Sequence, residues 1–217
     1  MTLSFLRPAI VAALAVASLA SCGGKATFEI AGTVSGLQYP GLVLNETFSG
    51  QTLTLTDVSK DPATFQFANT IEYGTEYNVI IAPTGQPPHQ TCTALGGTTG
   101  SAGQRASINM AISCVMTPHA VGGAITLAAG TTGSFVGLKL INGSNELTPI
   151  TIAEGTTAYA FTGITFSTPY GITIFAQPAG LNCKLVPKVP HPNATDVKVS
   201  GTMGDADVII DIVCAKA

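Results

Sequence analysis

Tyr77-Asn78-Val79-Ile80-Ile81-Ala82 returns as Gly171-Ile172-Thr173-Ile174-Phe175-Ala176, and each run leads through proline to a cysteine. The first continues as Gln86-Pro87-Pro88-His89-Gln90-Thr91-Cys92, the second as Gln177-Pro178-Ala179-Gly180-Leu181-Asn182-Cys183. Upstream, Phe65-Gln66-Phe67 matches Tyr159-Ala160-Phe161 at the same offset of 94 (65 to 159, 82 to 176). Downstream, Ile108-Asn109-Met110-Ala111-Ile112-Ser113-Cys114 matches Val208-Ile209-Ile210-Asp211-Ile212-Val213-Cys214. The openings correspond as well: Ala31-Gly32-Thr33-Val34-Ser35-Gly36-Leu37 with Gly122-Gly123-Ala124-Ile125-Thr126-Leu127, and Gly41-Leu42-Val43-Leu44 with Gly137-Leu138-Lys139-Leu140. Likeness sustained over this length means one unit copied once within the chain.

Within each copy the hydrophobic period is two. Thr52-Leu53-Thr54-Leu55-Thr56 alternates, as does Phe65-Gln66-Phe67, so one residue set faces a core and the other faces solvent. The apolar runs are short and broken by Gly, Pro and Asn, and no segment after the N-terminal apolar run keeps a helical period. Charged residues are only 10% against 46% hydrophobic, which argues against disorder. The 24 glycines fit many tight turns. The expected fold is all-β, two tandem antiparallel β-sandwich domains after a cleaved signal helix. Repeat one spans 27–115, a linker 116–119 and repeat two 120–217. Gly96 to Gly103 is expected as a loop, and Leu147–Ala153 as a strand.

Residues 1–21 have the three parts of a secretory leader: Arg7 in a short n-region, an apolar run from Ala9 to Leu19, and small Ala20 and Ser21. The run is shorter than a membrane-spanning helix requires. Leu19-Ala20-Ser21-Cys22 resembles the bacterial lipobox. The resemblance implies a diacylglyceryl group on the Cys22 thiol, cleavage before Cys22 and acylation of the new N-terminus. Residues 22–26 become a lipidated tether, because two or more acyl chains hold stably where one is marginal. Gly23 stands where an inner-membrane lipoprotein of enterobacteria carries Asp, which implies sorting to the outer membrane of the bacterial envelope.

Of five cysteines, Cys22 is then taken by lipid, leaving Cys92, Cys114, Cys183 and Cys214. An even set in an exported chain reads as disulfides. Four cysteines allow three pairings, and the duplication selects the local one, Cys92–Cys114 and Cys183–Cys214. Each bridge ties a strand of its copy to that copy's last strand. Chain entropy makes each worth about 3 kcal/mol.

Gly32-Thr33-Val34-Ser35-Gly36-Leu37, Gly41-Leu42-Val43-Leu44-Asn45, Phe65-Gln66-Phe67, Tyr77-Asn78-Val79, Gln90-Thr91-Cys92 and the strand ending at Cys114 together resemble a repeat of proteobacterial surface and exported proteins. That family is taken to form immunoglobulin-like or prealbumin-like sandwiches in tandem. The resemblance covers residues 28–115 well and 119–214 more loosely. It implies architecture and location and lends little about activity.

No catalytic constellation emerges. Gly100-Ser101-Ala102-Gly103 lacks the first glycine of a nucleophile elbow, since position 99 is Thr. His89, His119 and His191 are expected as exposed loop histidines, and Asp205, Asp207 and Asp211 as a solvated strand entry. The formal charge of −3, with no Lys/Arg cluster, excludes a nucleic-acid footprint. No cofactor or metal is expected. Tyr39, Tyr73 and Tyr170 stand beside Gly or Pro at strand ends and are the candidate ligand platform. The expected function is a non-enzymatic envelope module acting in adhesion or display. Its partners would be the membrane, through Cys22, and a protein or glycan; the alternative is a small-ligand or glycan-binding surface lipoprotein.

Overall fold

The computed structural model describes residues 25–143 and 149–217. The expected leader and Cys22 lie outside the described residues. Unit one comprises β1 (Thr27–Phe28), β2 (Ile30–Ser35), β3 (Leu42–Glu46), β4 (Thr52–Leu55), β5 (Ala63–Gln66), β6 (Ile71–Glu72), β7 (Glu76–Ile81), β8 (Gln90–Gly96), β9 (Thr99–Ser101) and β10 (Ile108–Met116). Unit two comprises β11 (Pro118–Leu127), β12 (Lys139–Asn142), β13 (Ile150–Thr151), β14 (Ala158–Thr165), β15 (Pro169–Ala176), β16 (Leu181–Pro187), β17 (Lys198–Thr202) and β18 (Val208–Lys216). Among the described residues no helix is long and apolar enough to cross a membrane.

The duplication is visible in the strand order. Sheet β5-β2-β10-β8 of unit one corresponds to β14-β11-β18-β16 of unit two, and β4-β3-β7-β9 to β13-β12-β15-β17. Alternation sorts the side chains as the period-two pattern requires. On β10, Ile108, Met110, Ile112 and Cys114 are buried, while Asn109 and Ala111 face solvent. Ile30, Leu42, Leu44 and Phe67 join the first core; Leu138, Leu140, Ile172 and Ile212 anchor a separate second one. Each fully buried aliphatic side chain contributes roughly 1.5–3 kcal/mol relative to exposure. Cys92 lies directly opposite Cys114, and Cys183 opposite Cys214, and both pairs are disulfide-bonded.

The sheets are not wholly antiparallel. β2 and β10 pair in parallel, Ile30 opposite Ile108, and β11 and β18 do the same, Val121 opposite Val208. Strand alternation is blind to direction, so this pairing lies outside what the period can predict. Its consequence is geometric. A unit whose opening and last strands run the same way takes the chain in at one end and releases it at the other. Two further differences are local. Residues 96–103 contain β9 in place of the expected loop, and β9 pairs with β7 at Asn78–Thr99. In the stretch expected as a strand over Leu147–Ala153, residues 147 and 148 lie outside the described residues, and β13 is confined to Ile150–Thr151. Met116 closes β10 and Pro118 opens β11, so Thr117 alone stands between the strands.

Candidate functional site

Two places combine unusual side chains with ordered geometry. The first is the junction. The Thr117 N–H donates to the His89 carbonyl at 2.9 Å, and the Thr91 and Thr117 hydroxyls are 3.0 Å apart. His89 sits in the turn before β8 with φ 62°, a left-handed conformation uncommon for a residue with a side chain. Its ring stacks on Phe166 from the β14–β15 turn, with centroids 3.4 Å apart and planes 10° apart. Tyr39 meets His89 edge-on at 4.7 Å and Phe166 at 6.2 Å. His89 Nδ1 lies 2.5 Å from Asp205 Oδ1, in the β17–β18 turn of unit two. Two residues on, Asp207 Oδ1 accepts the Ala120 N–H at 2.8 Å and stands 3.6 Å from His119 Nδ1.

These contacts correct the expectation of exposed histidines. The His89 and His119 side chains are only 17% and 14% exposed, each facing a carboxylate. Asp205 and Asp207 remain open to solvent, as a strand entry should be, and are also the partners of the histidines. Asp211 departs from the expectation, its side chain only 23% exposed and accepting the Ala124 N–H at 2.9 Å.

The second place is the β3–β4 turn of unit one. Glu46 is 1% exposed, and its carboxylate accepts the N–H groups of Phe48 at 3.2 Å, Ser49 at 2.6 Å and Asn78 at 3.0 Å. Burial alone would raise its pKa. Hydrogen bonds from Ser49, Asn78 and Phe48 outweigh burial and hold the carboxyl below its ordinary value. The Asn78 side-chain amide adds a bond to Thr47 Oγ1 at 3.0 Å. So braced, the turn presents Phe48 with 64% of its surface exposed. Phe48 borders a cleft of about 470 Å³ lined also by Glu76, Asn78, Thr99, Ser101 and Gln104.

The three tyrosines of the candidate platform stand in three different surroundings. Tyr39 is at the junction. Tyr73 is exposed, packs near Phe28 with ring centroids 6.4 Å apart and covers Gly103. Tyr170 is buried across its strand partner Gly201, where a Cβ would come within 2.5 Å of the phenol oxygen. Tyr77 lies across Gly100 in the same way, so the aromatic-over-glycine pair occurs in both units, Tyr170 standing one position before the residue that the sequence offset matches to Tyr77. Tyr170 also borders a cleft of about 360 Å³ between the Pro-rich loop and the β17–β18 turn, edge-on to His191.

Two glutamines escape a reading of the sequence although their spacing repeats. Gln86 accepts the Cys92 N–H at 2.7 Å and donates to the Cys92 carbonyl at 3.0 Å; Gln177 does the same to Cys183 at 2.8 and 3.0 Å. Each side-chain amide imitates a neighbouring strand at the disulfide. A glutamine six residues before the first cysteine of each copy is the signal that could have found them. Among the described residues no group of three His, Cys, Asp or Glu side chains is placed to hold a metal ion.

No family model matches the chain, and no curated protein matches it in sequence. Among solved structures it is similar to the Bacillus anthracis TIE protein, at TM-score 0.49 and 10% identity over 88% of this chain and 34% of that one. It is similar also to a Mobiluncus mulieris adhesin containing intramolecular disulfide, isopeptide and ester bond cross-links, at TM-score 0.38 and 8% identity over 88% and 98%. A third is the major pilin of Streptococcus pyogenes, at TM-score 0.28 and 10% identity over 89% and 99%. The chain thus spans about a third of the TIE protein.

Proposed function

We propose that the protein is a non-enzymatic, lipid-anchored module of the bacterial envelope, held in the outer membrane through Cys22 and displaying two self-stapled sandwiches to a partner. The supporting observation is the parallel pairing of an opening strand with the last strand in both units, β2 with β10 and β11 with β18. With the chain entering and leaving each unit at opposite ends, a tether at residues 22–26 would hold one pole at the bilayer. Unit two would then stand beyond unit one. The lipobox-like Leu19-Ala20-Ser21-Cys22 supplies the chemistry of attachment, and the junction around His89 supports a fixed angle between the units.

The test is envelope fractionation of the wild type against Cys22→Ser. The wild type is expected in the outer-membrane fraction, extractable by detergent only. The variant is expected in soluble or inner-membrane fractions as an unacylated precursor. A variant that fractionates like the wild type would remove the anchor from the account.

A further inference from the structure

We infer that the cleft beside the β3–β4 turn of unit one is a binding site for a neutral saccharide chain. The inference goes beyond the display reading and does not depend on lipid attachment.

Glu46 is the starting point. A carboxylate 1% exposed is costly to place unless its oxygens are fully engaged, and here three backbone N–H groups engage them. Two of those groups belong to Phe48 and Ser49, at the tip of the turn; the third belongs to Asn78, on the floor of the cleft. The buried charge therefore fixes the tip against the cleft floor. What the braced tip exposes is an aromatic ring, the side chain least expected at a solvated turn. A core has no use for it, and a turn whose backbone is fixed in advance of binding loses little entropy when a ligand covers the ring it carries.

The rest of the lining gives the ligand class. Sugar rings have an apolar face of C–H groups and an equator of hydroxyls that both donate and accept. An exposed aromatic ring suits the face. The side chains of Asn78, Gln104, Thr99 and Ser101 can donate as well as accept, and Glu76 is a strong acceptor, which suits the equator. No lysine or arginine is among the lining residues, so nothing there selects an anionic ligand. The floor is β-strand backbone at Tyr77 and Gly100, with the Tyr77 side chain turned to the core on the opposite face, and the cleft is an open trough rather than an enclosed pocket. Such a trough admits the middle of a chain as readily as its end. An extended peptide added to the sheet edge fits less well, because β9 offers only three residues of ladder.

The experiment titrates the purified full chain with maltotriose, cellotriose, xylotriose, mannotriose and chitotriose, up to ~10 mM to capture weak single-site binding. Heteronuclear NMR follows the amides of residues 46–49, 76–78 and 99–104. At least one trisaccharide is expected to shift those amides in a saturable way. Phe48→Ala is expected to weaken that sugar at least fivefold while leaving the thermal midpoint unchanged. Leu95→Ala, an equally exposed change on β8, is expected to bind as the wild type. No binding by any of the five sugars, or binding that Phe48→Ala weakens by less than fivefold, overturns the inference. Saturable shifts confined to other residues overturn it as well.

Discussion

Glu46 and Tyr159 each join a titratable group to the architecture through a buried hydrogen bond. The Glu46 carboxyl is held below its ordinary value in the folded chain, so the unfolded chain binds that proton more tightly. Its stabilisation is complete above the ordinary glutamate range and is lost as pH falls through the lower folded value. Glu46→Gln is expected to cost about 2 kcal/mol at neutral pH, since a charged acceptor facing fixed donors is removed. The acid limb of the urea midpoint against pH should flatten; an unchanged limb would show that the carboxylate contributes nothing there. Burial, helped by the Asp211 carboxylate, pushes the Tyr159 phenol up and keeps it a donor to the Ile210 carbonyl at 2.7 Å. Tyr159→Phe leaves that carbonyl unpaired and should cost about 1 kcal/mol in equilibrium unfolding. Neither role is readable from sequence. Period two carries Leu42 and Leu44 inward and, extended once more, carries Glu46 inward too. Its charge argues for ending the strand, and the donors that outweigh that argument include Asn78, on another strand.

At the scale of elements, the closing strands carry most of what holds each unit. Cys92 and Cys114 are 22 residues apart, and Cys183 and Cys214 are 31 apart. Replacing either pair with alanine should destabilise its own unit by about 3 kcal/mol, the loop-closure entropy released to the unfolded chain. Because the two cores share no residue, the two losses should appear as separate transitions in calorimetry. Gln177→Ala removes two hydrogen bonds at Cys183 and should cost about 2 kcal/mol. Faster hydrogen exchange at the Cys183 amide would localise the effect. The strands and the cysteine pairing are legible because alternation and duplication are written in residue order. Parallel pairing of opening and last strands is not, since a strand's pattern reads the same in both directions. β9 is hidden because Thr99-Gly100-Ser101 has the composition of a loop and is a strand only by pairing with β7.

The whole molecule depends on how the two units meet. His89, Tyr39 and Phe166 come from three turns far apart in sequence, and Asp205 from a fourth. No spacing rule gathers such a set, which is why these histidines read as loop residues. His89→Ala should leave the stability of each unit nearly unchanged and loosen the angle between them. NMR relaxation would report this as separate rotational correlation times for the two units, where the wild type gives one. Tethering, by contrast, rests on Leu19 to Cys22 and on nothing in the sandwiches. Intact mass spectrometry of the protein extracted from membranes, without reduction, reads anchor and staples together. The expected mass is that of residues 22–217 with acyl groups added and the hydrogens of two disulfides removed. A chain that begins elsewhere, or begins at Cys22 with no acyl mass, would contradict the account.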